Sequence, residues 1–295
     1  MNLIIQGDDI ATRDLKTLHG ISRGSAIERI SDEAFRITKA DPATKPDVAS
    51  HCAKAKLDWA FVEEGRRLAD FRLLAMDMDS TLISIECIDE IADFAGRKAE
   101  VAAVTAAAMR GEIDWPESLR RRVKALAGLD AGALEAVYSQ RLRFNRGAEK
   151  LLAAAKREGV KTLLVSGGFT YFTDRVRDRL GFDYAYSNEL DIEGGKLAGT
   201  VSGPLVDARG KEAHVARLKA ELGIGREEVM AIGDGANDLP MLAQAGTSIA
   251  YHAKPVVREK ADYALDYVGL EGVLAMFPST SGSPGSSTLG SGEGK

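Results

Sequence analysis

Two aspartates two residues apart, Asp77 and Asp79 in Asp77-Met78-Asp79-Ser80-Thr81, stand directly after the apolar run Leu73-Leu74-Ala75-Met76. Carboxylates so placed can divide phosphoryl transfer between them. Asp77 attacks phosphorus to give an acyl-phosphate, while Asp79 protonates the departing alkoxide and then activates the hydrolytic water. Such a transfer needs positive charge on the phosphoryl oxygens, which a hard cation bound by oxygen ligands supplies. Asp77, Asp234 and the backbone carbonyl of Asp79 are the candidate ligands for Mg2+. An isolated Asp-x-Asp is more often a turn former or a helix cap. What reverses that reading is Gly233-Asp234-Gly235-Ala236-Asn237-Asp238, a tight turn expected to point Asp234 and Asp238 toward the strand that carries Asp77. Asp234 is expected on the metal, with Asp238 either on it or just behind.

Ser166 and the backbone amide of Gly167, in Val165-Ser166-Gly167-Gly168, add a hydroxyl and free N–H groups suited to cradling a phosphate. Lys211 contributes a point charge to the same oxygens. Alone, the glycine pair would mark a turn and Lys211 a solvated helix start. Their place between the two acidic motifs gives them weight.

These residues need strands to present them. Leu73–Met76, Lys161–Val165 and Val229–Ile232 read as short buried strands, and Ile249-Ala250-Tyr251 resembles a fourth. A carboxylate at the C-terminal end of such a strand is where open α/β sheets keep their sites. Helical patterns fill the intervals at 148–158, 172–180 and 211–222, which implies a parallel, doubly wound sheet. Gly194-Gly195 reads as a hairpin turn between strand-like stretches, and Ser166-Gly167 as a turn from strand to helix. Residues 86 to about 140, rich in Ala, Glu, Arg and Leu, read as a helical insertion. The segment Ala40-Asp41-Pro42-Ala43-Thr44-Lys45-Pro46-Asp47 reads as a turn or loop.

Taken in order, the four pieces resemble the four motifs of haloacid dehalogenase superfamily phosphatases, over roughly residues 73 to 270. Within that superfamily, Asp77-Met-Asp-Ser-Thr-Leu, Glu86 with Ile88-Asp-Glu-Ile, Ser166-Gly-Gly-Phe and Gly-Asp-Gly-Ala-Asn-Asp resemble the members that act on O-phosphoserine. The resemblance implies a Rossmann-like doubly wound parallel sheet, an α/β core of haloacid dehalogenase type, with a small helical cap at about 86–140. It implies a Mg2+-dependent phosphomonoesterase that hydrolyses O-phosphoserine to serine and phosphate, the last step of serine biosynthesis. It further implies that Glu86 holds the substrate ammonium and Arg122 its carboxylate, a pairing that makes charge sense for an amino-acid phosphate. Met109 and Phe169 become apolar walls, Lys211 the third-motif lysine, and Asn237 the residue that orients the phosphate or a bound water. Arg120 and Arg121 are expected at the surface. The alternatives are the same chemistry on another small phosphomonoester, phosphotransfer to an alcohol such as homoserine, or a sensor on a phosphatase-like fold.

Residues 71–278 are thus expected as the catalytic domain, and residues 1–70 as a small α/β accessory domain. The latter resembles the amino-acid-binding type that some relatives carry, though without a motif that matches. Residues 279–295, rich in Ser and Gly, cannot bury enough apolar surface to order themselves and are expected to be a flexible tail. A formal net charge of −5 argues against nucleic acid as the main partner, and no apolar run reaches the roughly 20 residues needed to span a bilayer. The start shows no secretory pattern, and Cys52 and Cys87 have no metal-ligand spacing, so free thiols and a cytoplasmic location are expected. The four histidines are scattered and are not read as ligands. The oligomeric state is not written in the chain, and the partner expected is the small-molecule substrate.

Overall fold

The computed structural model describes residues 1–279. The tail expected at 279–295 therefore lies, beyond its first residue, outside the described residues. The N-terminal part runs β1 (Asn2–Gln6), α1 (Thr12–Ser22), β2 (Ala26–Ser31), β3 (Ala34–Thr38), α2 (Lys45–Ala55) and β4 (Asp58–Val62). Its strands pair antiparallel in the order β2-β3-β1-β4. Alternation along β1 decides what each face meets. Leu3 and Ile5 pack under the helices with Leu15, Leu18, Val48 and Cys52, whereas Ile4 joins the core of the C-terminal part.

The stretch read as a loop at 40–47 is half helical. Asp41 caps a 3-10 turn at Pro42–Thr44 through Ala43 N (3.0 Å), and α2 then starts at Lys45 with Pro46 in its first turn. Proline is tolerated there because its missing N–H has no partner in the first turn anyway.

The C-terminal part begins with β5 (Leu73–Met76). The insertion follows as α3 (Cys87–Phe94), α4 (Lys98–Met109), α5 (Trp115–Ala125) and α6 (Gly132–Gln140). The chain then alternates through α7 (Ala148–Arg157), β6 (Lys161–Phe169), α8 (Thr170–Leu180), β7 (Tyr184–Glu193), β8 (Lys196–Ser202) and α9 (Ala208–Leu222). It closes with β9 (Val229–Gly233), α10 (Leu239–Ala243), β10 (Thr247–Tyr251), α11 (Pro255–Arg258), β11 (Tyr263–Leu265) and α12 (Gly272–Met276).

The seven strands lie in the order β11-β10-β9-β5-β6-β7-β8, parallel except for the β7–β8 pair at the edge. Its inner strands β5, β9 and β10 are buried on both faces, as strands of parallel sheets are. Leu73, Ala75, Leu163 and Val165 face Val215, Leu218 and Met241, while Leu74, Met76, Leu164 and Ile232 face the other layer. From β5 the chain goes to β6 on one side and later returns to β9 on the other. That reversal leaves a crevice at the C-terminal ends of β5 and β9, the usual place for a ligand in such sheets.

Backbone hydrogen bonds tie the helical insertion to the β7–β8 hairpin. Gly128 N donates to Leu197 O (2.8 Å), Leu197 N to Leu129 O (2.8 Å) and Ala131 N to Gly195 O (2.9 Å). The expected turn at Gly194-Gly195 has both residues at positive φ, 56° and 76°, which glycine adopts without steric cost. Among the described residues no helix is long and apolar enough to cross a membrane, and Cys52 and Cys87 are both free and buried.

Candidate active site

Asp77 is the first residue past β5, and its N–H extends the ladder to Ile232 O (3.1 Å). Its side chain is buried, and its Oδ1 accepts from Lys211 Nζ at 2.6 Å. The same ammonium donates to Asp238 Oδ1 at 2.7 Å. Lys211 sits in the first turn of α9 and is only 1% exposed. Burial alone would lower its pKa, but the two carboxylates outweigh burial and raise it, so it is an ammonium.

Asp238 is fully buried, and its Oδ2 accepts from the N–H groups of Asp234 (3.2 Å) and Gly235 (2.9 Å). With Oδ1 on Lys211, both of its oxygens are engaged in holding the turn and the lysine. Asp234 is held from the opposite side by the Thr81 hydroxyl, 2.9 Å from its Oδ1.

One carboxyl oxygen from each of Asp77, Asp234 and Asp238 lies within 4.8 Å of the other two. Burial, then Asp238, pushes Asp77 well above the ordinary carboxylate range despite Lys211, and the same two causes push Asp234 up to about 6. Hard oxygen donors, crowded and short of counter-charge, are what a divalent cation of the Mg2+ or Ca2+ kind relieves. Asp77 and Asp234 fit as its ligands, with Asp238 behind them fixing the turn.

Asp79 faces the same space. Burial, then the negative charge of Glu86, pushes it up to about 7, partly offset by Cys87, and its Oδ1 is buried without a hydrogen-bond partner. A carboxyl group with that pKa can hold a proton near neutral pH and release it to a developing alkoxide.

Ser166 is 1% exposed, and its Oγ accepts from Gly168 N (2.9 Å). The structure corrects the turn read at Ser166-Gly167. Strand β6 runs on to Phe169 with a register irregularity after Val165, and α8 starts only at Thr170. The two glycines serve close approach instead. A Cβ on Gly168 would sit 2.9 Å from Asp79 Oδ2, and one on Gly167 would sit 2.7 Å from the Trp115 ring of α5.

A cavity of about 450 Å³ joins these groups. Asp77, Asp79, Ser166, Gly167, Lys211 and Asp234 line its floor. Glu86, Arg122, Asn237 and Phe169 line it as well, so the site residues read from the sequence, Met109 and Asp238 apart, border one space. The Met109 side chain lies outside what is described. Glu86 directly precedes α3 without a side-chain capping hydrogen bond, and its Oε1 accepts from Ser80 Oγ (2.7 Å). Arg122 is half-buried on α5, where its Nε donates to Ser118 O across a long 3.4 Å; burial lowers its pKa, against Asp89 and Glu86, which raise it. Arg120 and Arg121 are exposed.

Residues 74–243 match the haloacid dehalogenase-like hydrolase family, and residues 3–48 match a domain of unknown function. The chain belongs to the haloacid dehalogenase-like hydrolases. This hydrolase is 54% identical over 215 residues to the phosphoserine phosphatase of Polaromonas sp. strain JS666, a match covering 71% of this chain and 91% of that one. A crystal structure of a probable phosphoserine phosphatase from Vibrio cholerae, 35% identical, matches 93% of this chain and 85% of that one with a TM-score of 0.81. A phospho-aspartyl intermediate analogue of a phosphoserine phosphatase, 37% identical, matches with a TM-score of 0.66 over 70% of this chain and 99% of that one.

Some residues that shape the hydrolase site make contacts that the sequence does not signal. Thr81 carries a hydroxyl to Asp234 across 153 positions. Asn188, 1% exposed, donates to Gly167 O (2.9 Å) and accepts from Val206 N (2.8 Å), joining the phosphate-side strand to the segment that leads into α9. Trp115, the first residue of α5, closes over Gly167.

Proposed function

We propose that this hydrolase converts O-phosphoserine to serine and phosphate through an aspartyl-phosphate on Asp77. The observation that carries the substrate is the cavity's two-ended chemistry. Lys211, Ser166 and the buried aspartates border a phosphate-sized end, while Glu86 and Arg122 offer opposite charges for an ammonium and a carboxylate. The phosphoserine phosphatase names of the relatives support the same substrate.

The covalent step uses groups on the page. A carboxylate oxygen of Asp77 attacks phosphorus, and the bond from phosphorus to the serine oxygen breaks. Asp79 gives its proton to that oxygen as it leaves. The resulting Asp79 carboxylate then takes a proton from water, whose oxygen attacks phosphorus and displaces Asp77 as a free carboxylate. Lys211 holds Asp77 and meets the phosphoryl oxygens with positive charge, and Ser166 Oγ and the Gly167 N–H steady them. The metal in this reading is Mg2+, held by Asp77, Asp234 and the backbone carbonyl of Asp79; when bound it neutralises charge on the transferring group. Asn237, at the rim beside Asp234, orients the phosphate.

Residues 71–278 act as the catalytic domain and 1–70 as an accessory domain in this reading, in a cytoplasmic enzyme of serine biosynthesis. The test is phosphate release from a panel of small phosphomonoesters, with and without Mg2+, alongside Asp77→Asn. Selective, Mg2+-dependent release from O-phosphoserine that disappears in the variant is the expected result. Preference for another ester moves the substrate, and transfer to homoserine in place of water moves the acceptor.

A further inference from the structure

The catalytic loop after Asp79 is not held by its own backbone alone. Ser80 sits at φ 59°, in the left-handed region that a non-glycine residue rarely occupies. Around it, the carbonyls of Ser80, Thr81 and Ile83 converge on one side chain. Asn145 Nδ2 donates to Thr81 O at 2.8 Å, with longer contacts to Ile83 O (3.3 Å) and Ser80 O (3.4 Å). The Asn145 N–H donates to Leu82 O (2.9 Å), Ser84 N donates to Arg143 O (3.0 Å), and Ile83 bridges Phe144 antiparallel.

These two segments, 80–85 and 141–147, are the entry and exit of the helical insertion. Asn145 therefore clamps the hinge of the cap and the catalytic loop at once. Thr81, whose carbonyl makes the shortest of the three contacts, carries the hydroxyl that holds Asp234.

The next residue faces the other way. Arg146 donates to Asp8 Oδ1 (2.8 Å) and to Glu33 of the N-terminal part, and to Glu271 Oε1 (2.6 Å) at the start of α12. Gly147, at φ 80°, leaves room for this contact, since a Cβ there would lie 1.8 Å from Glu271 Oε2. Single exposed ion pairs contribute little, but a guanidinium shared by three carboxylates is a network with fixed geometry.

We propose that Asn145 is a positioning residue for the catalytic loop, and that Arg146 beside it links the order of that loop to docking of the N-terminal part. The turnover part of this inference rests on the phosphoserine reading. The loop part does not, because hydrogen exchange at the amides of Ser80, Leu82 and Ile83 is read without substrate.

Asn145→Ala is expected to lower kcat about tenfold or more, since small misplacements of reacting groups are costly. KM should stay within about twofold, because neither substrate-charge partner is touched. Exchange at the three loop amides should quicken while the amides of β5, β6 and β9 keep their protection. Asn145→Asp, which keeps the shape and replaces the donor by an acceptor, should match or exceed the alanine variant. The pair Asp8→Asn and Glu33→Gln, together in the full chain, should quicken the same three amides to a smaller degree.

Unchanged kcat and unchanged loop exchange in Asn145→Ala would overturn the positioning role. Faster exchange spread evenly over the sheet would overturn it too, by showing general loosening. Loop exchange unaltered by the Asp8 and Glu33 changes would overturn the link to the N-terminal part. Faster loop exchange with no turnover of O-phosphoserine by the unaltered protein would leave this inference standing and remove the substrate reading.

Discussion

Lys211 illustrates how far each side chain here depends on its neighbours. A lysine in the first turn of a helix opposes the helix dipole, and full burial would strip its hydration, so it is tolerable only because Asp77 and Asp238 both accept from it. Lys211→Met is accordingly expected to cost about 3–5 kcal/mol of stability by leaving two buried carboxylates uncompensated. Urea unfolding measures that, and phosphate release should vanish in the same variant. Asp79→Asn removes the proton that the leaving alkoxide needs, and turnover should fall about 10²–10⁴-fold. Arg122→Ala should lower kcat/KM for O-phosphoserine by about 10–100-fold, the worth of a charge-assisted hydrogen bond. A comparison with ethanolamine phosphate, which has no carboxylate, should show little loss, and an equal loss on both esters would deny Arg122 its proposed partner.

At the scale of elements, the site is where three strand ends and one helix start meet. Gly168 is a point of close approach, with its absent Cβ facing Asp79 Oδ2. Gly168→Ala is expected to lower kcat about 10²-fold through displacement of Asp79, and its unfolding midpoint should move little because the strand around it stays apolar and buried. Thermal melting beside steady-state kinetics separates the two effects. The elements were legible where a single stretch of chain carried the signal. Leu73–Met76 and Val229–Ile232 are continuous apolar runs ending in acidic turns, so the strands and the carboxylates they present could be read together. Gly167-Gly168 were misread as a turn because their need for glycine comes from Trp115 and Asp79, partners that are far away in sequence. Asn145 and Asn188 were passed over for the same reason. Their amides bind carbonyls 64 and 21 positions away, and nothing local distinguishes them from surface asparagines. Helix α2 was partly missed because a proline reads as a breaker until its place in the first turn is known.

For the whole molecule, two parts share one core and one electrostatic problem. The N-terminal sheet packs Ile4, Ala60 and Val62 against the catalytic part, and Asp58 of β4 accepts from the N–H groups of Asp266 (2.8 Å), Tyr267 (2.9 Å) and Val268 (3.1 Å). Asp58→Ala would orphan those donors, and a loss of roughly 3 kcal/mol or more is expected, at about 1–3 kcal/mol per unsatisfied group. Limited proteolysis between β4 and β5 should then quicken. The electrostatic problem is the crowded carboxyl cluster. Asp234 is pushed up to about 6, above the roughly 3.9 of an unfolded aspartate, so the folded metal-free protein binds that proton more tightly than the unfolded chain does. Its contribution to stability is full below about pH 4 and is lost as pH rises through about 6. A divalent cation competes with the proton for the same oxygens. Added Mg2+ should therefore raise the melting temperature more at pH 7.5 than at pH 5, the stabilisation being about 2.7 kcal/mol wherever free Mg2+ stands a hundredfold above its Kd. Equal shifts at both pH values would count against the carboxylates as ligands.

The central claim is that phosphorus passes through Asp77, and acid-quenched protein taken during turnover of O-phosphoserine with Mg2+ tests it most directly. Mass spectrometry of its peptides should find a phosphate adduct on the peptide bearing Asp77, chased away when substrate is exhausted and missing in Asp77→Asn. Phosphate release at full rate with the adduct on another residue, or in the Asp77→Asn protein, would contradict the account.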